Sequence, residues 1–151
     1  NLFEFHKNTE NSKALEEAIV KAIRVSKGCI YFKLHPDRYD MSNYINDLSE
    51  RIKMRTGVDI HANTVSDLTF ETIATVRPDI VIAILMSSIA VYSRFFKARV
   101  LSFAKPVYGA DVPRVQALIA NSPNTIFVEP GEDIAAIRSR LDNAQKDPEN
   151  N

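Results

Sequence analysis

Asp79-Ile80-Val81-Ile82-Ala83-Ile84-Leu85, running into Met86-Ser87-Ser88, is the stretch on which the fold turns. An unbroken apolar run rich in valine and isoleucine is what a parallel strand needs when both of its faces are covered, so it reads as a central strand with helices on either side. Upstream, Ser66 or Asp67 can cap a short helix through Leu68, Ile73 and Val76, with Pro78 beyond its end. Downstream, the pattern predicts a helix over Ile89 to Lys97 and a strand over Val100 to Phe103. Lys105-Pro106 reads as a turn or loop, and Val112 to Ile119 as a helix with Pro113 in its first turn, where a missing amide donor is harmless. A last strand follows at Thr125 to Val128, and Glu132 or Asp133 starts a helix through Ile134, Ile137 and Leu141.

The first third of the chain continues the alternation. Ala14, Leu15, Ala18, Ile19, Ala22 and Ile23 recur at three- and four-residue spacing, which is helical, and Gly28 is a stop signal. Cys29 to Leu34 is a short run of strand formers that ends at His35-Pro36, because proline has no amide to give to a ladder. Asp37 to Asp40 reads as a loop. A helix through Tyr44, Ile45, Leu48 and Ile52 then ends at Gly57, and Val58 to Val65 reads as a second strand. The whole predicts an α/β domain with a doubly wound, mainly parallel sheet and helices on both faces. One domain over 1–144 and a polar tail over 145–151 account for the sequence.

Composition narrows the function classes. A length of 151 residues suits one domain on the usual scale of roughly 100–200 residues. Hydrophobic residues at 45% and charged residues at 25% are those of an ordinary globular chain. Nineteen Lys+Arg balance nineteen Asp+Glu, without the basic excess that releases phosphate counterions, so no nucleic-acid partner is expected. The longest apolar run, Ile80 to Met86, is far short of the roughly 18 residues of a membrane span, so no direct membrane insertion is expected. A single cysteine, Cys29 among apolar neighbours, fits a reducing, cytoplasmic compartment. Three scattered histidines, His6, His35 and His61, give no zinc spacing, and no metal is expected. GxGxxG, GxxxxGK[ST] and GxSxG are all missing from the sequence, which disfavours the usual dinucleotide, P-loop and hydrolase readings.

Chemistry gathers where strands end. Open α/β sheets bind ligands at the carboxyl ends of their strands. His35-Pro36 ends the first predicted strand, Ser87-Ser88 ends the central one and opens a helix, and Glu71 lies between them. Hydroxyl donors, an imidazole and a helix start together describe an anion site. Ser87 also reads as a plain helix cap, and His35 as a plain strand end.

Phe32-Lys33-Leu34-His35-Pro36 resembles the HP motif, written K-x-H-P, of bacterial sialyltransferases with the GT-B fold, and Ser87-Ser88 after Asp79-Ile80-Val81-Ile82 resembles their paired-serine motif. The resemblance spans roughly Ile30 to Phe103 and includes the capsular polysialyltransferases and lipooligosaccharide sialyltransferases of bacteria. It implies the Rossmann-like, C-terminal half that binds the donor CMP-sialic acid. By the same resemblance, His35 meets the CMP phosphate and assists its departure, while Ser87 and Ser88 hydrogen-bond it. Glu71 accepts from the ribose hydroxyls, Lys33 lies under the nucleotide and Pro36 shapes the turn. No cofactor is implied beyond the donor substrate. The family's catalytic acid, in a D/E-D-G triplet, does not occur here, and Gly131-Glu132-Asp133 has another order. Base and glycan acceptor are then expected from a missing N-terminal Rossmann-like domain, with the parent protein cytoplasmic or peripheral at the inner membrane. CDP-glycerol polymerases of teichoic-acid type share the fold and a cytidine nucleotide, and a non-catalytic α/β interaction domain is the alternative outside enzymes.

Overall fold

A computed structural model of the chain describes residues 9–26, 32, 42–63, 69–76, 80–95 and 98–144. Two helices come first, α1 (Thr9–Val25) and α2 (Ser42–Thr56), followed by α3 (Phe70–Val76). Three short strands, β1 (Val81–Ile84), β2 (Arg99–Ser102) and β3 (Thr125–Phe127), then alternate with α4 (Ile89–Tyr92), α5 (Ala104–Tyr108), α6 (Pro113–Ala120) and α7 (Ile134–Ala144). The strands form one parallel sheet in the order β1-β2-β3, with Ile82 opposite Val100 and Leu101 opposite Ile126. The domain is therefore α/β, with helices on both faces of a small parallel sheet.

One apolar core joins the sheet to α1, α5 and α7. Leu101, Phe103 and Val128 from the sheet side meet Ala18 and Val25, Val107, and Ile137 and Leu141. On the other face Ile82, Ile84 and Val100 pack against Ile89 and Ala90 of α4, with Leu118 of α6 beside them. A third cluster lies between the first two helices, where Leu15, Val20 and Ile23 meet Leu48, Ile52 and Ile60. Helix α1 serves two layers through its sequence. Ala14, Ala18, Ala22 and Val25 form a narrow stripe toward the sheet, and the bulkier Leu15, Ile19 and Ile23 form a second toward α2. Two polar links tie α1 to the far end of the chain: Lys21 Nζ donates to the Glu132 carbonyl (2.6 Å) and Arg138 to the Arg24 carbonyl (2.5 Å).

Ion pairs hold α1 to α2 as well. Glu16 receives Arg51 Nε and Arg55 Nη1, each at 2.8 Å, and Glu17 receives Arg55 Nη2 at 2.8 Å. Burial pushes the Glu16 carboxyl up, but hydrogen bonds from Arg55 and Arg51 and their positive charges outweigh it and hold the group below its ordinary value. A lowered folded-state pKa means that the stabilisation is complete above the ordinary carboxyl range and is lost as pH falls through the lowered value. Urea unfolding of the wild type and of Glu16→Gln from pH 7 downward is expected to show a stability gap that closes below about pH 4.5. A gap independent of pH would mean that the pairs contribute through packing alone.

Several local expectations are met. Gly57 ends α2 with φ +76°, its amide donating to the Lys53 carbonyl (2.8 Å). Pro113 opens α6, and Asp133 caps α7 by accepting from the Ala136 amide (2.8 Å). Others are corrected. Val58 to Asn63 is no strand: Asp59 Oδ1 accepts from the Ala62 amide (3.2 Å), and this local turn leads into a single 3-10 turn at His61–Asn63. Lys105-Pro106 lies inside α5, because Pro106 occupies the first turn, where no intrahelical donor is needed. Thr69 caps α3, its hydroxyl accepting from the Thr72 amide (3.1 Å), and the expected caps Ser66 and Asp67 lie outside the described residues. The helix after Ser88 is one turn of α followed by a 3-10 turn at Ser93–Phe95. Finally, Val81 and Ala83 leave one face of β1 exposed where both were expected to be covered, while β2 lies between β1 and β3 among the described strands. The strand expected at Cys29 to Leu34 lies outside the described residues except for a single bridge at Phe32, and 145–151 lie outside them too. Among the described residues no helix is long and apolar enough to cross a membrane.

Candidate functional site

The carboxyl end of β1 is fixed from β2. Phe103 donates its amide to the Ile84 carbonyl (2.8 Å), and the buried Ser102 hydroxyl donates to the Leu85 carbonyl (2.8 Å). The same Ser102 oxygen accepts from the Ala104 amide at 3.2 Å, so one side chain joins the exit of β1 to the start of α5. Leu85-Met86-Ser87-Ser88 leaves the sheet from this fixed point. On the far side of the turn, α4 is anchored by a second buried polar group. The Ser93 hydroxyl donates to the Ala90 carbonyl (2.6 Å), and Thr125 Oγ1 of β3 lies 3.1 Å from both.

Between this turn and α6 runs an open groove of about 430 Å³, a volume within the roughly 300–1,000 Å³ usual for small-molecule sites. Its polar residues are Ser87, Ser88, Arg114 and Asn121; Met86, Val91, Ala117 and Leu118 supply apolar surface. Arg114, Ala117, Leu118 and Asn121 recur at helical spacing, so a single face of α6 forms one wall. Arg114 belongs to the first turn of α6 and is exposed, with no carboxylate paired to its guanidinium among the described residues. The groove thus carries a positive charge near two hydroxyls.

The serine pair behaves in two ways. Ser87 is half-buried, and its Oγ accepts from the Ile89 amide at 3.3 Å, which is a capping contact that leaves its O–H free to donate outward. Ser88 is exposed and makes no side-chain capping bond. The expected helix-start contribution is small here, because α4 is a single turn of four residues and a macrodipole needs aligned turns. Charge for an anion comes from Arg114 instead.

Of the residues expected at the site, Ser87 and Ser88 meet on this groove. Lys33, His35 and Pro36 lie outside the described residues, and of Glu71 only its place on α3 is described. Arg114 and Asn121 were not among the expected residues. Their seven-residue separation, from inside the helix predicted over Val112 to Ile119 to just past its end, with Ala117 and Leu118 between, is the signal that would have put them on one wall. Compared with known protein families, with curated proteins and with solved structures, the chain matches none of them.

Proposed function

We propose that this domain binds the phosphate of a nucleotide-activated donor in the groove between the β1 exit and α6. The observation that carries the reading is the meeting of Ser87, Ser88 and Arg114 on one surface at the carboxyl end of a parallel strand. Two hydroxyl donors and a guanidinium suit a phosphate ester, since charge-assisted hydrogen bonds are about twice as strong as neutral ones.

In its narrower form the reading is the donor-binding, Rossmann-like half of a GT-B bacterial sialyltransferase, supported by the resemblance at Lys33 to Pro36 and at Ser87-Ser88. The acceptor hydroxyl then attacks the anomeric carbon of sialic acid, the bond from that carbon to the phosphate oxygen breaks, and CMP leaves with the electron pair. Ser87, Ser88 and His35 stabilise the charge that develops on the phosphate, an oxyanion-type contribution. Glu71 holds the ribose hydroxyls, and the base and glycan acceptor come from another domain. A CDP-glycerol polymerase would use the same phosphate contacts with a different donor.

Calorimetric titration of the chain with CMP and with ribose 5-phosphate tests the general reading. Both are expected to bind, and Arg114→Ala is expected to weaken both by roughly 10- to 100-fold, the range of a lost hydrogen bond to a charged group. Binding of neither, or affinities untouched in Arg114→Ala, would favour a non-catalytic interaction domain. That alternative has its own observation in the exposed, stacked pair Tyr92 and Phe95, whose ring centroids are 6.5 Å apart.

A further inference from the structure

We infer, on the phosphate reading above, that Thr125 is a positioning residue for the groove: it ties the two walls together and so decides whether Arg114 on one wall and Ser87-Ser88 on the other reach the same phosphate. Thr125, the first residue of β3, is buried and lies behind the groove rather than on its surface. Its amide and its hydroxyl go to different walls. The amide donates to the Ser122 carbonyl (3.1 Å), one residue past the groove-lining Asn121 that ends α6. The hydroxyl donates to the Ala90 carbonyl of α4 (3.1 Å), which also receives the Ser93 hydroxyl (2.6 Å) and the Ser93 amide.

Both walls need a reference outside themselves. Helix α4 is a single turn of four residues, too short to hold its own geometry. Ser87 and Ser88 are joined to it through their carbonyls, which accept from the Ala90 and Val91 amides at 3.1 and 3.0 Å. Leu118 of α6 packs against the cluster that contains Ile89 and Ala90. Apolar contact of that kind is non-directional and lets one element slide on another, whereas a hydrogen bond has a preferred distance and angle. The Thr125 hydroxyl supplies the directional link. Its leverage is large, because Arg114 stands at the far end of α6, about 10 Å of helix from Asn121. A tilt of about 10° at the Asn121 end carries Arg114 by about 2 Å over that length, enough to part its guanidinium from a phosphate held by the serines.

Titration of the full chain with ribose 5-phosphate, in the wild type, Thr125→Val and Thr125→Ser, tests the assignment, with thermal melts to establish that each variant is folded. Valine keeps the shape of threonine without the hydroxyl, and serine keeps the hydroxyl. Thr125→Val is expected to bind about 3- to 10-fold more weakly, the effect of one net hydrogen bond, and Thr125→Ser to bind as the wild type does. Adding Arg114→Ala is expected to cost Thr125→Val less than it costs the wild type, since the two walls no longer act on one phosphate. Leu48→Ala, in the cluster between α1 and α2, lowers stability away from the groove and is expected to leave the affinity unchanged. Wild-type affinity in Thr125→Val, equal losses in Thr125→Val and Thr125→Ser, an Arg114→Ala effect of the same size in both backgrounds, or an equal loss in Leu48→Ala would overturn the positioning role while phosphate binding stands. A wild type that does not bind ribose 5-phosphate would remove the phosphate reading and the role of Thr125 with it.

Discussion

Phe103→Ala is expected to lower the unfolding free energy by about 3–5 kcal/mol, seen as a lower urea midpoint at unchanged slope. The ring is 2% exposed and belongs to the core that joins the sheet to α1, α5 and α7. Its backbone is also committed, since its amide donates to Ile84 and its carbonyl accepts from Val107 (3.3 Å). The chain at this point is therefore held while the ring is removed, and the cavity cannot close easily. Phe95→Ala is the control. That ring is 67% exposed, with the Arg94 guanidinium 4.7 Å from its centre and Tyr92 stacked beside it, and its loss is expected to change stability by no more than about 0.5 kcal/mol. Equal losses in the two variants would mean that Phe103 does not lie in the main core.

Ser102→Ala is the second large effect, because a fully buried hydroxyl serves two backbone groups at once. Without it the Leu85 carbonyl loses its 2.8 Å donor and the Ala104 amide its 3.2 Å acceptor, and each buried group left unsatisfied costs about 1–3 kcal/mol. The loss should reach the groove as well, since Leu85 leads into Met86-Ser87-Ser88. CMP affinity is expected to fall along with stability in Ser102→Ala, while Phe103→Ala, measured where it is still folded, keeps more of its affinity. An unchanged CMP affinity in a destabilised Ser102→Ala would separate the hydroxyl from the site.

The parts legible in the sequence are those set by local chemistry. Helices with two clean stripes, such as α1, and helices with marked ends, such as α2 at Gly57 and α7 at Asp133, fall close to their predicted places. The strands at 100–102 and 125–127 do the same. The failures share a cause. At Asp59, Thr69 and Pro106 a short side-chain bond or a first-turn position decides the backbone, and a hydrophobic pattern carries no trace of either. The run at 79–85 misled for another reason: its composition suits a strand covered on both faces, whereas Val81 is 37% exposed on β1. For the site, Ser87-Ser88 was legible because it follows a strand directly. Arg114 and Asn121 stayed hidden because their partnership with those serines depends on α6 packing beside residues 26 or more positions earlier in the chain.

The two polar links of α1 join residues 111 and 114 positions apart. A contact of such separation must overcome loop-closure entropy before it stabilises anything, and folds dominated by such contacts form slowly. The stripe of α1 that faces the sheet therefore stays incompletely covered until α7 has been synthesised, and the α1–α2 pair is the local unit that can assemble first. Closure of the domain is thus timed by its last described helix. Loss of residues 134–144 would remove Ile137 and Leu141 from the core that α1, α5 and the sheet share, leaving part of that core as an open apolar flank.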